Sequence, residues 1–555
     1  MRGTTVTGAA GGPGRSSSAA RTPPENRPAL LTPVYSAIAI AAVLALILRG
    51  YLLVRSGLLS VTQYDDGPYF GSAVRLVHGM LPYRDYAFVQ PPGITLLMSP
   101  VAALTYLTGT AWGLAIGRIL TVLASTAAVV LAGLLVRHRG WLAVVVTCGI
   151  LAIYPPGAAA AHTVLLEPWL VLACLAGAVV VFDGDRLADK TSRLAWGGVL
   201  FGLGGAVKVW AIAPALVVFV LCLPSLRRAG IFAAGVAAGF LVPALPFAIA
   251  APRQFYDSVV VAQLARVGFR VPVRDRLHDM IGLLPGQVWP DAAILAAAVA
   301  VAAAVVLSQA ANWLIDRSPP PVLEWFATLT AGLVVAMFLW STFFATHYAA
   351  FLMPFLALAL ALPIARLAAN LRPTGGRGRT TRWQGPVAGA LICVALVAGG
   401  VVEAQPGAGL LPVPVRTTAI ERVIPPGACV VTDSASYLLL ANRFVSDVPG
   451  CPAMVDSLGT DLALSGGRRP NSGAADVPAV QAAWRYAFRH AQYVVLTYRG
   501  TLQCGLSPHP CGRIPWTPQL LAYFHASFRA VRHAFHFTVY ARRGLALHAP
   551  AALPR

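Results

Sequence analysis

Charge is what this sequence has least of. Asp, Glu, Lys and Arg together make up 11% of its 555 residues, where a soluble globular domain carries about a quarter. With 57% hydrophobic residues and a mean hydropathy of +0.69, the composition excludes a soluble fold and points to an α-helical polytopic membrane protein. Also lacking is any stripe of Lys and Arg interleaved with aromatics, so the net charge of +21 is not the footprint of a nucleic-acid binder. The basic residues are scattered through short loops and tails, as retention on the cytoplasmic side requires. No small-residue cleavage site follows the first apolar run, which excludes a cleaved signal peptide. No CxxC pair occurs, which argues against a zinc site. Heavy use of Ala, Gly, Arg, Pro and Val suits a high-GC bacterial source.

What is there is a succession of apolar runs. Residues 1–33 are rich in Gly, Ser, Pro and Arg and read as a disordered cytoplasmic tail. Spans follow at Val34–Val54, Ala111–Val136, Trp141–Tyr154, Leu165–Phe182, Leu194–Lys208, Val209–Leu223, Ile231–Ile249, Ala292–Ala310, Leu323–Phe344, Ala349–Leu367 and Pro386–Val402. That gives about eleven crossings by hydropathy, a multi-pass protein of the bacterial cell membrane with its amino terminus cytoplasmic. Ile94–Leu107 is too short to span and dips into the outer leaflet, because a crossing there would put Arg137-His138-Arg139 outside. Residues 34–404 therefore form a membrane domain with external loops at 55–110 and 252–290, and residues 405–555 form an external domain.

That last part reads as a small α/β domain. Strands are expected at Cys429–Asp433, Phe444–Asp447, Tyr493–Tyr498 and Phe537–Ala541, with helices at Val480–His490 and Pro518–Phe528. Four of the eight cysteines lie in the spans and four in this tail. The segregation predicts an oxidising compartment and two disulfides, Cys504–Cys511 around a Pro-rich loop and Cys429–Cys451.

The first external loop holds Tyr64-Asp65-Asp66-Gly67-Pro68, read as a helix start with an acid as N-cap. Phe70, Ala73, Val74 and Val77 then make one apolar stripe, so this helix is expected to lie along the membrane surface. Glu167, preceded by His162, stands at the outer end of a span, where an acid is costly and points to function. Lys208 falls at the break between two short spans, and His347-Tyr348 at another external end. The second loop carries Arg253, Arg266, Arg270, Arg274 and Arg276 against the positive-inside bias, which a bound anion would explain. Carboxylates suit deprotonation of a hydroxyl, and Lys and Arg suit a phosphate arriving from the lipid.

The order Tyr64-Asp65-Asp66-Gly67, Pro82-Tyr83-Arg84-Asp85, Gln90-Pro91-Pro92, Glu167-Pro168 and Gly204-Gly205-Ala206-Val207-Lys208 resembles the GT-C superfamily of polyprenyl-phosphate-sugar-dependent glycosyltransferases. The likeness is nearest the aminoarabinose and protein-mannosyl transferase branch and the actinobacterial arabinosyl and mannosyl transferases. It implies an inverting transferase that moves a sugar from a polyprenyl-phosphate donor to an external glycan, lipid or protein acceptor. Asp65 is then the base, with Asp66 binding a metal or holding the loop. Lys208, Arg266 and Arg270 hold the donor phosphate. Tyr83, Arg84, Asp85, Gln90, His162, Glu167, His347 and Tyr348 support the loops or touch substrate. The resemblance allows a divalent cation on Asp65 and Glu167 without requiring one. Gln263 stands where some members have His. A flippase or transporter of a lipid-linked sugar is the alternative; it needs the cations but neither the acid pair nor a large external domain.

Overall fold

The computed structural model describes residues 33–266, 271–283, 288–371, 398–402, 405, 415–498 and 513–546. Residues 1–32, most of the run at Pro386–Val402, Arg270, Cys504 and Cys511 lie outside these.

The chain opens with α1 (Pro33–Ser56), and the first loop folds into α2 (Asp66–Val77) and α3 (Gly93–Ala103). Then come α4 (Thr105–Val136), α5 (Trp141–Ile153), α6 (Pro155–Ala161), α7 (Leu166–Val181), a two-stranded hairpin of β1 (Phe182–Asp183) and β2 (Arg186–Leu187), α8 (Thr191–Val207), α9 (Ile212–Cys222) and α10 (Leu226–Ala250). The second loop contains α11 (Pro252–Tyr256), a π-helical turn (Asp257–Val261), α12 (Ala262–Leu264) and α13 (Val273–Met280). The long helices α14 (Asp291–Asp316), α15 (Val322–Trp340) and α16 (Ala349–Asn370) complete the bundle. Among the described residues six helices are long and apolar enough to cross a membrane, seven if α5 and α6, bent by 59° at their junction, count as one. Residues 93–103, 166–181 and 209–222 form shorter apolar helices.

Two close approaches set the site end of the bundle. Gly198 and Gly202 of α8 meet Gly235 and Gly239 of α10 so tightly that a Cβ on Gly202 would fall 2.2 Å from the Val236 carbonyl oxygen. This small-residue crossing lets the two helices gain van der Waals contact along their backbones, and it fixes the end of α8 that precedes Lys208. At that end a Cβ on Gly93 would sit 2.5 Å from the Ala206 carbonyl. The Gln90-Pro91-Pro92-Gly93 run is thereby seated against the chain leading into Lys208. At the opposite end of the bundle Arg139 bridges Asp185 at 2.8 Å and Glu324 at 3.1 Å.

The tail builds a mixed sheet in the order β3-β4-β6-β5, from β3 (Val430–Thr432), β4 (Tyr493–Thr497), β5 (Phe528–His533) and β6 (Phe537–Arg542). β3 runs parallel to β4, and the other pairs are antiparallel. Helices α17 (Ala435–Leu440), α18 (Ser457–Leu464), α19 (Pro478–His490) and α20 (Pro518–Ser527) surround it. The strand expected at Phe444–Asp447 is not one. It makes a single bridge, Gly427 to Ser446, because this stretch is the loop that the Cys429–Cys451 disulfide closes. Arg529 and Arg532 hid the edge strand β5, which exposes most of its residues.

The first loop and the tail share one apolar core. Phe70, Tyr83, Phe88 and Ile94 cluster with Val430, Leu438, Tyr493 and Val539. The apolar stripe expected on α2 packs into this protein core: Phe70, Ala73 and Val74 belong to it, and Asp66 through Arg75 are buried. A Cβ on Gly67 would come 2.5 Å from the Ser436 amide nitrogen, so the tail helix α17 presses directly on the start of α2. Asp65 stands at the N-cap position but makes no capping hydrogen bond. Its carboxylate points elsewhere.

Candidate active site

The two adjacent acids face different ways, as residues about 100° apart around a helix do. Asp66 turns inward and is fully buried. Its Oδ2 accepts from Arg118 Nη2 at 2.5 Å and Nε at 3.0 Å, and its Oδ1 accepts from the Val164 amide at 2.5 Å. Arg118 also donates to the Leu58 and Ser60 carbonyls. This buried pair ties the start of α2 to α4 and to the segment before α7. His162 lies in the same layer, held neutral by burial that pushes its pKa down to about 4.

Asp65 turns outward into a cavity of about 870 Å³ between the first loop, the second loop and the tail. Behind it stands a charged layer. Glu167 Oε1 accepts from Lys208 Nζ at 2.6 Å, and His347 Nε2 lies 4.0 Å from both Asp65 Oδ2 and Glu167 Oε1. The Lys208 ammonium also sits 3.5 Å from the Trp210 ring centroid and 4.0 Å from that of Tyr348. Lys208 is thus buried and committed to Glu167, one layer back from the cavity, while Arg266 lines the cavity itself. Burial raises the Asp65 carboxyl above the usual range for an aspartate; the charge of His347 opposes that rise, and Glu167 adds to it.

The metal expectation can be weighed on these donors. The cation against Glu167 is already the Lys208 ammonium, and among the described residues no group of three His, Cys, Asp or Glu side chains could hold an ion. This donor set does not fit a bound divalent cation, so no step below runs through one.

The remaining expected residues divide into lining and scaffold. Gln90 and Tyr348 line the cavity. Tyr83 is scaffold: its hydroxyl donates to the Gln90 carbonyl at 2.5 Å, and its ring packs on Phe247 and Phe255. Arg84 and Asp85 form a 2.8 Å surface pair away from the cavity. Gln263 Nε2 donates to the Val89 carbonyl and joins the second loop to the first.

Arg253, Arg274 and Arg276 of the second loop need no common anion. Arg276 donates to the carbonyls of Phe338, Leu339 and Ser341 at the negative end of α15. Arg274 pairs with Asp291 at 2.8 Å, and Arg253 stands 3.8 Å from Asp257. Of this cluster, among the described residues, Arg266 alone reaches the cavity.

The sequence reading missed what the tail contributes. Tyr64 donates to Asp456 Oδ1 at 2.7 Å and contacts Ser457 Oγ at 3.0 Å, while Arg513 stacks 4.0 Å over its ring. Ser436 Oγ bonds the Gln63 and Tyr64 carbonyls. The residue before Asp65 is therefore gripped from the tail side, and Asp456, Arg469 and Arg513 all line the cavity. Asp433 accepts from the Thr497 amide at 2.8 Å and lies 3.8 Å from Arg513.

Cys429 and Cys451 are disulfide-bonded, with Cα atoms 5.5 Å apart. Cys148, Cys174 and Cys222 are buried free thiols in the bundle.

No protein-family model matches this chain, and no curated protein matches it in sequence. Its fold is nonetheless shared with solved structures. ArnT from Cupriavidus metallidurans bound to undecaprenyl phosphate superposes with a TM-score of 0.56 at 15% identity, over 92% of this chain and 97% of that one. The apo form of the same protein gives 0.54 at 14% identity, over 92% and 98%. The archaeal oligosaccharyltransferase AglB from Archaeoglobus fulgidus, in complex with an inhibitory peptide and a dolichol-phosphate, gives 0.50 at 15% identity, over 84% and 70%. The chain has the GT-C fold.

Proposed function

We propose that the protein is an inverting glycosyltransferase. It takes a sugar from a polyprenyl phosphate and attaches it to a hydroxyl of an external glycan, lipid or protein acceptor. The observation that carries this reading is the placement of Asp65, a carboxylate of raised basicity, in a cavity that also presents Arg266. The likeness to ArnT and AglB supports the donor class, since each of those structures holds a polyprenyl phosphate or dolichol-phosphate. In this reading the protein crosses the bacterial cell membrane about eleven times. Its amino terminus is cytoplasmic, residues 34–404 form the catalytic membrane domain, and residues 405–555 form an external domain that meets the acceptor.

The step needs one carboxylate. Asp65 accepts the proton of the acceptor hydroxyl while that oxygen bonds to the anomeric carbon. The bond from that carbon to the phosphate oxygen breaks, and the polyprenyl phosphate leaves with the electron pair. Arg266 neutralises the leaving phosphate. Lys208, one layer behind, is paired with Glu167, and His347 stands between that pair and Asp65. Displacement from the face opposite the phosphate inverts the anomeric centre. A retaining route would need a second carboxylate at the reacting carbon, and Asp66 is locked on Arg118, facing away.

Purified protein supplied with synthetic polyprenyl-phosphate sugars tests the reading. Asp65→Asn is expected to abolish turnover while binding donor normally, and NMR of the product should show an inverted anomeric centre. Asp66→Asn should act on stability instead, lowering Tm through a weakened buried pair and leaving turnover per folded molecule within a few-fold. Substantial turnover by Asp65→Asn, or a product that keeps the donor configuration, rejects the mechanism.

A further inference from the structure

We propose that Arg469, carried by the tail, binds the donor phosphate together with Arg266, so that the lipid-linked substrate is held across the boundary between the second loop and the tail. This rests on the donor class proposed above. The two guanidiniums address one ring: Arg266 Cζ lies 5.3 Å and Arg469 Cζ 4.2 Å from the centroid of Phe343, and all three residues line the cavity. The Nε of each is buried without a hydrogen-bond partner. The nearby carboxylates are engaged elsewhere. Asp65 faces His347, Asp456 accepts from Tyr64, and Asp433 faces Arg513.

Among the described arginines, Arg118 is paired with Asp66 and Arg276 with three carbonyls, and although Arg75, Arg228 and Arg366 also leave Nε without a partner, only Arg266 and Arg469 of these five line the cavity. Two like charges gathered at one ring repel, which costs free energy. An anion between them turns that cost into binding, and a phosphate offers oxygens to both planar forks. The arrangement is built rather than incidental. Gly467 has φ +92°, and a Cβ there would fall 2.6 Å from the Ala265 carbonyl oxygen and 3.0 Å from the Arg266 nitrogen. The turn that carries Arg469 thus rests on the backbone of Arg266. On the other side Thr342 Oγ1 donates to the Arg266 carbonyl at 2.6 Å and holds it beside Phe343. Lys208 is spent on Glu167, so a second phosphate-binding cation comes from Arg469.

The test compares binding of a short-chain polyprenyl monophosphate with that of the uncharged polyprenol, using full-length protein in lipid nanodiscs. The wild type should prefer the phosphate. Arg469→Gln should lose about tenfold or more in affinity for the phosphate, a difference of ~1.4 kcal/mol or more, with polyprenol binding unchanged. Arg469→Lys should recover part of the loss, because charge returns without the fork. The exposed Arg485→Gln, which changes net charge equally, should bind as the wild type does. If the wild type fails to distinguish phosphate from alcohol, the donor class falls and this inference with it. If the wild type distinguishes them and Arg469→Gln does so equally well, or loses both ligands equally, the inference alone is overturned.

Discussion

At the scale of single residues, the base role proposed for Asp65 rests on its surroundings. Burial raises its pKa and His347 opposes the rise. A base must be deprotonated to act, so kcat/KM should fall as pH drops through a value above the ordinary aspartate pKa of about 3.9. His347→Gln removes the opposing charge and should move that acid limb to still higher pH. A limb that stays at the ordinary value in both proteins would remove Asp65 from the base role. Asp65, Glu167, Lys208 and His347 were legible in the sequence for one reason: a charged or titratable group beside an apolar span is expensive and therefore conspicuous. Tyr64, Asp456, Arg469 and Arg513 were not, because three of them belong to a tail of ordinary polarity and Tyr64 shows its purpose only through Asp456. Sequence could not foresee that Lys208 would pair with Glu167 rather than face the cavity, since the pair forms between α7 and the end of α8.

At the scale of elements, glycines decide which backbones may touch. Of the eleven spans expected from hydropathy, six coincide with helices long and apolar enough to cross a membrane among the described residues, seven with the bent α5–α6 pair, and α2 was readable from its acidic start and apolar stripe. What hydropathy missed was the covering of α2, which depends on Gly67 admitting α17. Gly467 does the same for the turn that bears Arg469. Gly467→Ala meets two obstacles, a left-handed backbone that L side chains seldom adopt and a carbonyl where the Cβ would go. The turn must shift away from Arg266. We expect an affinity for polyprenyl phosphate lowered by about tenfold, ~1.4 kcal/mol, with little change in Tm because the turn is local. Unaltered binding, measured in the same nanodisc assay, would mean the turn need not rest on Arg266.

At the scale of the whole molecule, the tail is a structural part of the cavity, and its disulfide bears on the site. Cys429 and Cys451, separated by 22 positions in the sequence, enclose β3, Asp433 and α17, whose Ser436 grips Tyr64. Closing a loop of that size contributes about 3 kcal/mol on the chain-entropy view. Cys429→Ser with Cys451→Ser should lower the tail's midpoint in limited proteolysis or thermal unfolding, and turnover with it. Turnover and protease resistance unchanged after both substitutions would show the bond to be dispensable. The Tyr64–Asp456 hydrogen bond joins positions 392 apart in the chain. At a synthesis rate of about 5 to 20 residues per second, the partner that fixes Tyr64 emerges roughly 20 to 80 s after it. Through that interval Tyr64, the residue before Asp65, has no Asp456 to hold it. The wall that Asp456, Arg469 and Arg513 give the cavity is therefore among the last parts of the fold to be made.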